Sequence, residues 1–426
     1  MNTYLKKYGF KGPLISQLPE EDLGIVVVIP ACNEPDINNA ISALYQCDRP
    51  ACSVEVIVVV NASETAPEKI KLQNEKTLRD CVAWQHKTGE KGFRVYGILE
   101  NDLPAKHAGV GLARKIGMDE AVRRFFTIGN NDGIIACFDA DSSCEPNYLT
   151  AVMHHFESNP KTPGCSVKYA HPTFGNEFES RTYLGITYYE LHLRYYNQAL
   201  RATGFPYAFH TVGSSMAVRT DAYQKQGGMN RRQAGEDFYF LHKIMMLGHF
   251  SELNTTCVFP SPRTSDRVPF GTGKAIGDYL KHPEKGFYTY NLKAFQYLDT
   301  FFKNIPEFYL SAPPLVTLGG VIPYVLIDFL DAYFFDERIE EIRANSKSFN
   351  SFQKRFYNWF NAFMVLKFVH FVRDNAHPNV YVEKAALEFL RSINYPKLEE
   401  IRSLSELLEV FRMLDRQSVS AKVLMR

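Results

Sequence analysis

The sequence predicts an α/β protein: a mostly parallel, Rossmann-like sheet flanked by helices, with a mostly helical C-terminal extension. Three observations point there. Short β-branched runs alternate with amphipathic stretches through the first half of the chain. The runs are continuously apolar, as expected of strands buried on both faces. From about residue 275 the pattern turns helical and aromatic, so residues 1–275 and 276–426 are expected to form separate regions.

Residues 24–29 (Gly-Ile-Val-Val-Val-Ile) read as the first strand, stopped by Pro30. Ile37, Ile41, Leu44 and Tyr45 recur at helical spacing after it. Residues 54–60 form the second strand, ending in a loop at 61–63, and residues 68–84 read as a helix. A third strand is expected at 93–99 and a helix at 108–126, entered through Gly109 and Gly111. The fourth strand is 134–138, and Pro146 is expected to start a helix with Leu149, Val152, Met153 and Phe156 on one face. Residues 165–235, rich in Tyr, Phe, Gly and Thr, suit a substrate-facing wall.

Composition narrows the function. A net charge of +1 gives no support to a nucleic-acid binder, which would usually show a strongly basic face. Eight cysteines occur without a C-x-x-C pair, and the first residues lack the apolar core of a signal peptide, so a reduced, cytoplasmic setting is expected. The longest apolar stretch, 315–330, is interrupted by Pro323, Asp328 and Gly319-Gly320. It falls short of the roughly 20 apolar residues of a membrane span, and a buried helix is expected there. Contact with the inner face of a membrane stays open.

In such sheets ligands bind beyond the carboxyl ends of the strands. The loops there carry Asn33, Glu34, Asn61, Ser63, Lys106, Asp139 and Asp141. In an extended segment the spacing of Asp139 and Asp141 points both carboxylates one way, where they can share a hard cation. The same pattern also caps helices, but the preceding strand favours Mg²⁺ or Mn²⁺ with a diphosphate. Glu236-Asp237 opens a helix, where acids either serve the helix dipole or supply a general base. Residues 260–273 read as a loop that closes over substrate, with Gly271 and Gly273 as pivots and Arg263, Arg267 and Lys274 as cations for the diphosphate. Lys106 stands before a helix N-terminus. Tyr188, Tyr189, Tyr195 and Tyr196 read as core packing, and His154-His155 as ordinary helix residues.

Val-Ile-Pro-Ala-Cys-Asn-Glu34, Val-Val-Asn-Ala-Ser63, Asp-Ala-Asp141, Gly-Ser-Ser-Met-Ala-Val-Arg219 and Gly-Glu-Asp237 together resemble the family 2 glycosyltransferases, in their bacterial form, over roughly residues 24–250. The resemblance implies a GT-A nucleotide-diphospho-sugar transferase fold for residues 1–275. It implies that Pro30, Ala31, Asn33 and Glu34 line the nucleoside pocket, with Asn61 and Ser63 in a second contacting loop. Asp139 and Asp141 then match the ribose and metal-diphosphate aspartates. Asp237 matches the base of inverting members, with Glu236 on the acceptor. The implied partners are a UDP- or GDP-sugar and a saccharide or lipid-linked acceptor, in polysaccharide or glycolipid synthesis. Two departures stand out: Asn61 replaces the usual acid after the second strand, and no histidine follows Asp237 at metal-ligand distance. A sugar-nucleotide-binding scaffold that has lost catalysis is the alternative. A nicotinamide dehydrogenase is excluded, because the loop 30–34 has no glycine to admit a pyrophosphate.

Overall fold

A computed structural model describes residues 2–88, 92–265, 271–311, 315 and 322–416. In chain order it contains α1 (Thr3–Tyr8), β1 (Leu23–Ala31), α2 (Asn38–Tyr45), β2 (Ser53–Ser63), α3 (Glu68–Lys87), β3 (Phe93–Leu103), α4 (Val110–Thr127), β4 (Ile134–Cys137), β5 (Ser143–Cys144), α5 (Tyr148–Ser158) and β6 (Gly164–Tyr169). Then come α6 (Ser180–Ala202), β7 (Met216–Arg219), α7 (Thr220–Lys225), α8 (Glu236–Met245), β8 (Ser251–Phe259) and α9 (Thr272–Lys281). The remainder holds α10 (Leu292–Lys303), α11 (Ile305–Leu310), α12 (Tyr324–Asp331), α13 (Phe335–Ala344), α14 (Phe349–Trp359), α15 (Ala362–Asn375), α16 (Val382–Ser392) and α17 (Leu404–Arg416), with the short pair β9 (Tyr288–Thr289) and β10 (Val380–Tyr381).

The chain divides into two compact units, residues 1–175 with 210–274, and residues 176–209 with 275–426. The first holds an eight-stranded sheet in the order β3-β2-β1-β4-β7-β6-β8-β5. Strands β3, β2, β1 and β4 are mutually parallel, and β7 runs against both β4 and β6. The apolar runs of β1, β2 and β4 are buried on both faces, as their unbroken apolar pattern requires. The sheet is thus mostly parallel and flanked by helices, and the rest of the chain is mostly helical, as expected.

Three strands outrun their expected ends. Strand β1 continues through Pro30 and Ala31, which pair with Val59 and Val60. The Val28 carbonyl accepts from Phe138 N–H at 3.0 Å. Pro30 is in the same phase two residues on, where β4 has ended, so its missing N–H removes no ladder bond. Residues 61–63 are strand, not loop, because they pair with the equally polar end of β3, with a register shift between Asn61 and Ser63. Helix α5 starts at Tyr148, after Pro146 rather than at it.

The 165–235 stretch is not one wall. Helix α6 belongs to the second unit, where Arg194 pairs with Glu190 and Asp415, and Arg412 with Glu190. Its Tyr195 is buried and donates to the Tyr290 carbonyl, and Tyr188 to Glu383, so these tyrosines pack the second unit. The expected helix across 315–330 is α12 at its C-terminal end, while 316–321 lie outside the described residues. Among the described residues no helix is long and apolar enough to cross a membrane, and all eight cysteines are free thiols.

Candidate functional site

The carboxyl ends of β3, β2, β1 and β4 lie side by side, and Asn74 of α3 ties three of them together. Its fully buried amide accepts from Asn33 N–H at 2.8 Å and donates to the Asn61 carbonyl at 3.0 Å and to Asn101 Oδ1 at 2.9 Å. Asn33 sits in the left-handed region (φ 49°), which asparagine tolerates better than most residues. Glu34 is buried, and its carbonyl accepts from Gln73 and Thr77 of the same helix. Helix α3 therefore holds Asn33, Glu34 and Asn61 of the residues expected around a nucleoside, while Pro30, Ala31 and Ser63 lie on the paired strand ends.

Beyond β4 the chain turns at once. Ser142 N–H bonds back to the Asp139 carbonyl at 3.1 Å, so Asp139 and Asp141 are not on one face of an extended strand. The turn sends each carboxylate to its own arginine. Asp139 Oδ1 is 2.6 Å from Arg114 Nη2, and Asp141 Oδ2 is 2.5 Å from Arg263 Nε. Both aspartates keep solvent-facing surface, at 36% and 24% side-chain exposure. Exposed hard oxygens of this kind fit Mg²⁺ or Mn²⁺, which take one or two carboxylates and complete their shell with water and phosphate. Among the described residues no group of three or more His, Cys, Asp or Glu could enclose a metal.

Arg114 was not singled out by the sequence, yet it links the two acidic motifs. It lies on α4, which is buried along nearly its whole length. Its guanidinium pairs with Asp139 and, through Nη1, with Glu236 Oε1. A Cβ at Gly213 would lie 2.5 Å from the Arg114 Nη1, and one at Gly111 would lie 2.3 Å from the Arg232 carbonyl, so both close approaches require glycine. Neighbouring charges on α4 are also paired: Lys115 with Asp119 at 3.0 Å, and Asp119 with the hydroxyls of Tyr4 and Tyr223. The one available signal was a run of charged residues in a helix with little polar face, since such charges must find partners when buried.

Glu236 and Asp237 open α8. Burial raises the Glu236 pKa to about 7 against the opposing charge of Arg114. The deep-set Asp237 carboxyl is also raised by burial, while Arg114 and the N–H groups of Phe238 and Gly213 favour its charged form. A carboxylate with a raised pKa, held by two N–H donors and still partly exposed, has the character of a proton acceptor.

Arg263, on the segment after β8, forks onto Glu34: Nη1 donates to Oε1 at 2.9 Å, and Nη2 pairs with Oε2. Gly273, at the end of the expected closing loop, packs against Ser265 within it. Arg267 lies outside the described residues. Lys106 is exposed in the turn before α4, four residues ahead of its first helical residue. His242 stacks on Phe238 within α8 and is held neutral by burial, with its pKa lowered to about 4. His155 bonds Ser251, and Arg219 bonds the carbonyls of Thr162 and Phe156, both structural roles.

Residues 134–336 match the family model for glycosyl transferase family group 2. No curated protein matches the chain. Similar solved structures include S. aureus TarS 1–349 in complex with UDP-GlcNAc, at 14% identity and a TM-score of 0.38, covering 92% of each chain. TarS 1–349 in complex with UDP is similar at 13% identity and a TM-score of 0.37, over 92% of this chain and 91% of that one. A longer TarS structure is similar at 13% identity and a TM-score of 0.37, over 75% of this chain and 55% of that one. Residues 134–336 are thus matched to glycosyl transferase family group 2, in a chain whose first unit is a mostly parallel sheet flanked by helices.

Proposed function

We propose that the chain transfers a sugar from a UDP- or GDP-sugar to an acceptor hydroxyl, with inversion at the anomeric carbon and with Mn²⁺ or Mg²⁺. The observation that carries this reading is the bridge from Asp139 through Arg114 to Glu236, which fixes the donor-side and acceptor-side acids in one frame. Asp139 and Asp141 would hold the metal, which would supply positive charge to neutralise the departing diphosphate. The loop ends at β1 and β2 bind the nucleoside, and Arg263, with Arg267 and Lys106, serves the diphosphate.

Asp237 takes the proton of the acceptor hydroxyl as its oxygen bonds to the anomeric carbon, and the carbon–oxygen bond to the diphosphate breaks. Glu236 stays clamped to Arg114 and orients the acceptor. The transition state has oxocarbenium character, so alignment of the two oxygens supplies much of the rate. The acceptor is a saccharide or a lipid-linked saccharide, and the setting is polysaccharide or glycolipid synthesis at the inner face of a membrane.

A thermal-shift screen of nucleoside diphosphates and their sugars, with and without Mn²⁺, identifies the donor, since only ligands of the native state stabilise it. Asp141→Ala is expected to abolish the metal-dependent shift. Asp237→Asn is expected to keep that shift and to lose at least a hundredfold in turnover. Normal turnover in Asp237→Asn refutes the base assignment. Metal-dependent binding by the native protein without transfer to any acceptor of a broad panel favours a binding scaffold instead.

A further inference from the structure

We infer that Cys47 and Cys144 form a peroxide-sensitive dithiol, with Cys47 as the attacking sulfur, that closes to a reversible disulfide. The site lies within the first unit and is independent of the sugar-transfer reading.

Three features carry it. The first is contact. Cys47 Sγ and Cys144 Sγ are 3.6 Å apart, although 97 positions separate the two residues in sequence. Their backbones already run side by side, since Asp48 N–H donates to the Pro146 carbonyl at 2.8 Å. A disulfide needs the sulfurs at about 2.05 Å, so a small turn of the two side chains brings them to bonding distance.

The second is what surrounds the Cys47 sulfur. It lies against the N-terminus of α5, where the N–H groups of Tyr148 and Leu149 reach it. Asn147, just before that helix, turns its amide to the Thr255 carbonyl and does not cap it. A helix N-terminus favours a thiolate. The hydrogen bond with Cys144 lowers the Cys47 pKa most, and Leu149, Arg49 and Tyr148 add to it against burial. The same contact raises the Cys144 pKa, so the proton of the pair stays on Cys144.

The third is access, with a hydroxyl in place for the product. Cys47 is 4% exposed, but Cys144 is only half-buried and stands on β5, the edge strand of the sheet. A water-sized oxidant reaches the pair along that edge. Beside Cys144 the Tyr148 side chain is fully buried, and its hydroxyl has no hydrogen-bond partner among the described residues. A buried O–H without an acceptor is costly, and the oxygen that peroxide leaves on sulfur supplies one.

The Cys47 thiolate attacks one oxygen of hydrogen peroxide. The S–O bond forms, the O–O bond breaks, and the departing hydroxide takes up the proton that Cys47 had released to solvent. The Cys144 sulfur then attacks the Cys47 sulfur. The S–S bond forms, the S–O bond breaks, and the second hydroxide leaves as water with the Cys144 proton. Two thiols lose two electrons, and one peroxide becomes two waters. The bond ties the end of α2 to β5, which begins two residues after Asp141.

The test exposes the reduced full chain to hydrogen peroxide, alkylates it in denaturant and maps it by mass spectrometry. Of the eight thiols, six are expected to remain, with Cys47 and Cys144 joined in one linked peptide, and dithiothreitol is expected to restore all eight. Oxidation is expected to raise the melting temperature by about 5 °C or more, because the link closes a long loop of the unfolded chain. The rate of closure is expected to rise less between pH 6 and pH 8 than the oxidation of free cysteine measured alongside.

Alkylation of both cysteines after peroxide, a link through other cysteines, or conversion of either to sulfinic acid without a link overturns the inference. A pH dependence as steep as that of free cysteine overturns Cys47 as the attacking thiolate. Cys47→Ala and Cys144→Ala are each expected to give no linked peptide and no rise in melting temperature with peroxide. An equal rise in either variant overturns the link as its cause. The wild-type map decides the inference whether or not these variants fold.

Discussion

Replacing Arg114 with methionine removes the cation that Asp139 and Glu236 share, and the pH dependence of the damage reports which acid suffers. The side chain has 4% exposure and Glu236 2%, so the change leaves a buried carboxylate without its partner. Breaking a buried pair in this way costs about 3–5 kcal/mol. Glu236 has an escape, because a protonated acid carries no charge to bury. Its pKa is already raised to about 7 by burial with Arg114 lowering it, and without Arg114 it rises further. An acid whose folded pKa lies above its unfolded value of roughly 4.3 contributes stability below the unfolded pKa and loses it as pH rises through the folded one. The variant is therefore expected to be near the lower end of that range at pH 6 and to lose more at pH 8. Urea unfolding followed by circular dichroism at both pH values, without divalent ions, measures the gap. Equal midpoints for wild type and variant at pH 8, or a gap that does not grow with pH, would refute the clamp.

Other changes test the frame around the site. Asn74→Ala strands the Asn33 N–H and the Asn61 carbonyl in a buried position and is expected to cost about 1–3 kcal/mol; urea unfolding reads this, and weaker nucleoside diphosphate binding in a thermal-shift titration reads the loosened loops. Gly111→Ala places a Cβ 2.3 Å from the Arg232 carbonyl and 2.9 Å from Glu236 Cβ. It is expected to cost about 1–3 kcal/mol and to reduce turnover more than binding, because it pushes on the start of α8. In the second unit, burial lowers the His192 pKa to about 4 while its Nδ1 is 2.7 Å from Thr289 Oγ1. Its depressed pKa means stability is full above about 6.5 and lost as pH falls toward 4. The expected loss is about 1–3 kcal/mol after allowing for its partial exposure, and His192→Gln is expected to flatten that part of the urea midpoint against pH.

What could be read from the sequence was whatever one segment decides by itself. The Val-Ile runs of β1 and β2 identify themselves, because a strand buried on both faces needs no knowledge of its neighbours to be apolar. Their ends were misjudged for the opposite reason. Pro30 is acceptable only because β4 stops early, and residues 61–63 are strand only because the polar end of β3 pairs with them. The same division runs through the candidate site. Asp139, Asp141, Glu236 and Asp237 stand out as short motifs, whereas the residues that hold them do not. Arg114 lies 122 positions from Glu236, and Arg263 lies 229 from Glu34. Helix α6 was misread likewise, since its buried Arg194 finds Asp415 across 221 positions.

These long-range partners share one physical signature, a charged or amide side chain on a face that is otherwise apolar. Asn74 lies among Thr77, Cys81 and Trp84 on the buried face of α3, and Arg114 lies between Ala113 and Lys115 on α4. Burying such a group without a partner costs several kcal/mol, so its presence implies a partner even when its identity is hidden. For Asn74 and Arg114 the partners prove to be the loop ends and acids of the site. The motifs name the chemistry, and the buried polar residues between them determine whether it is held in register.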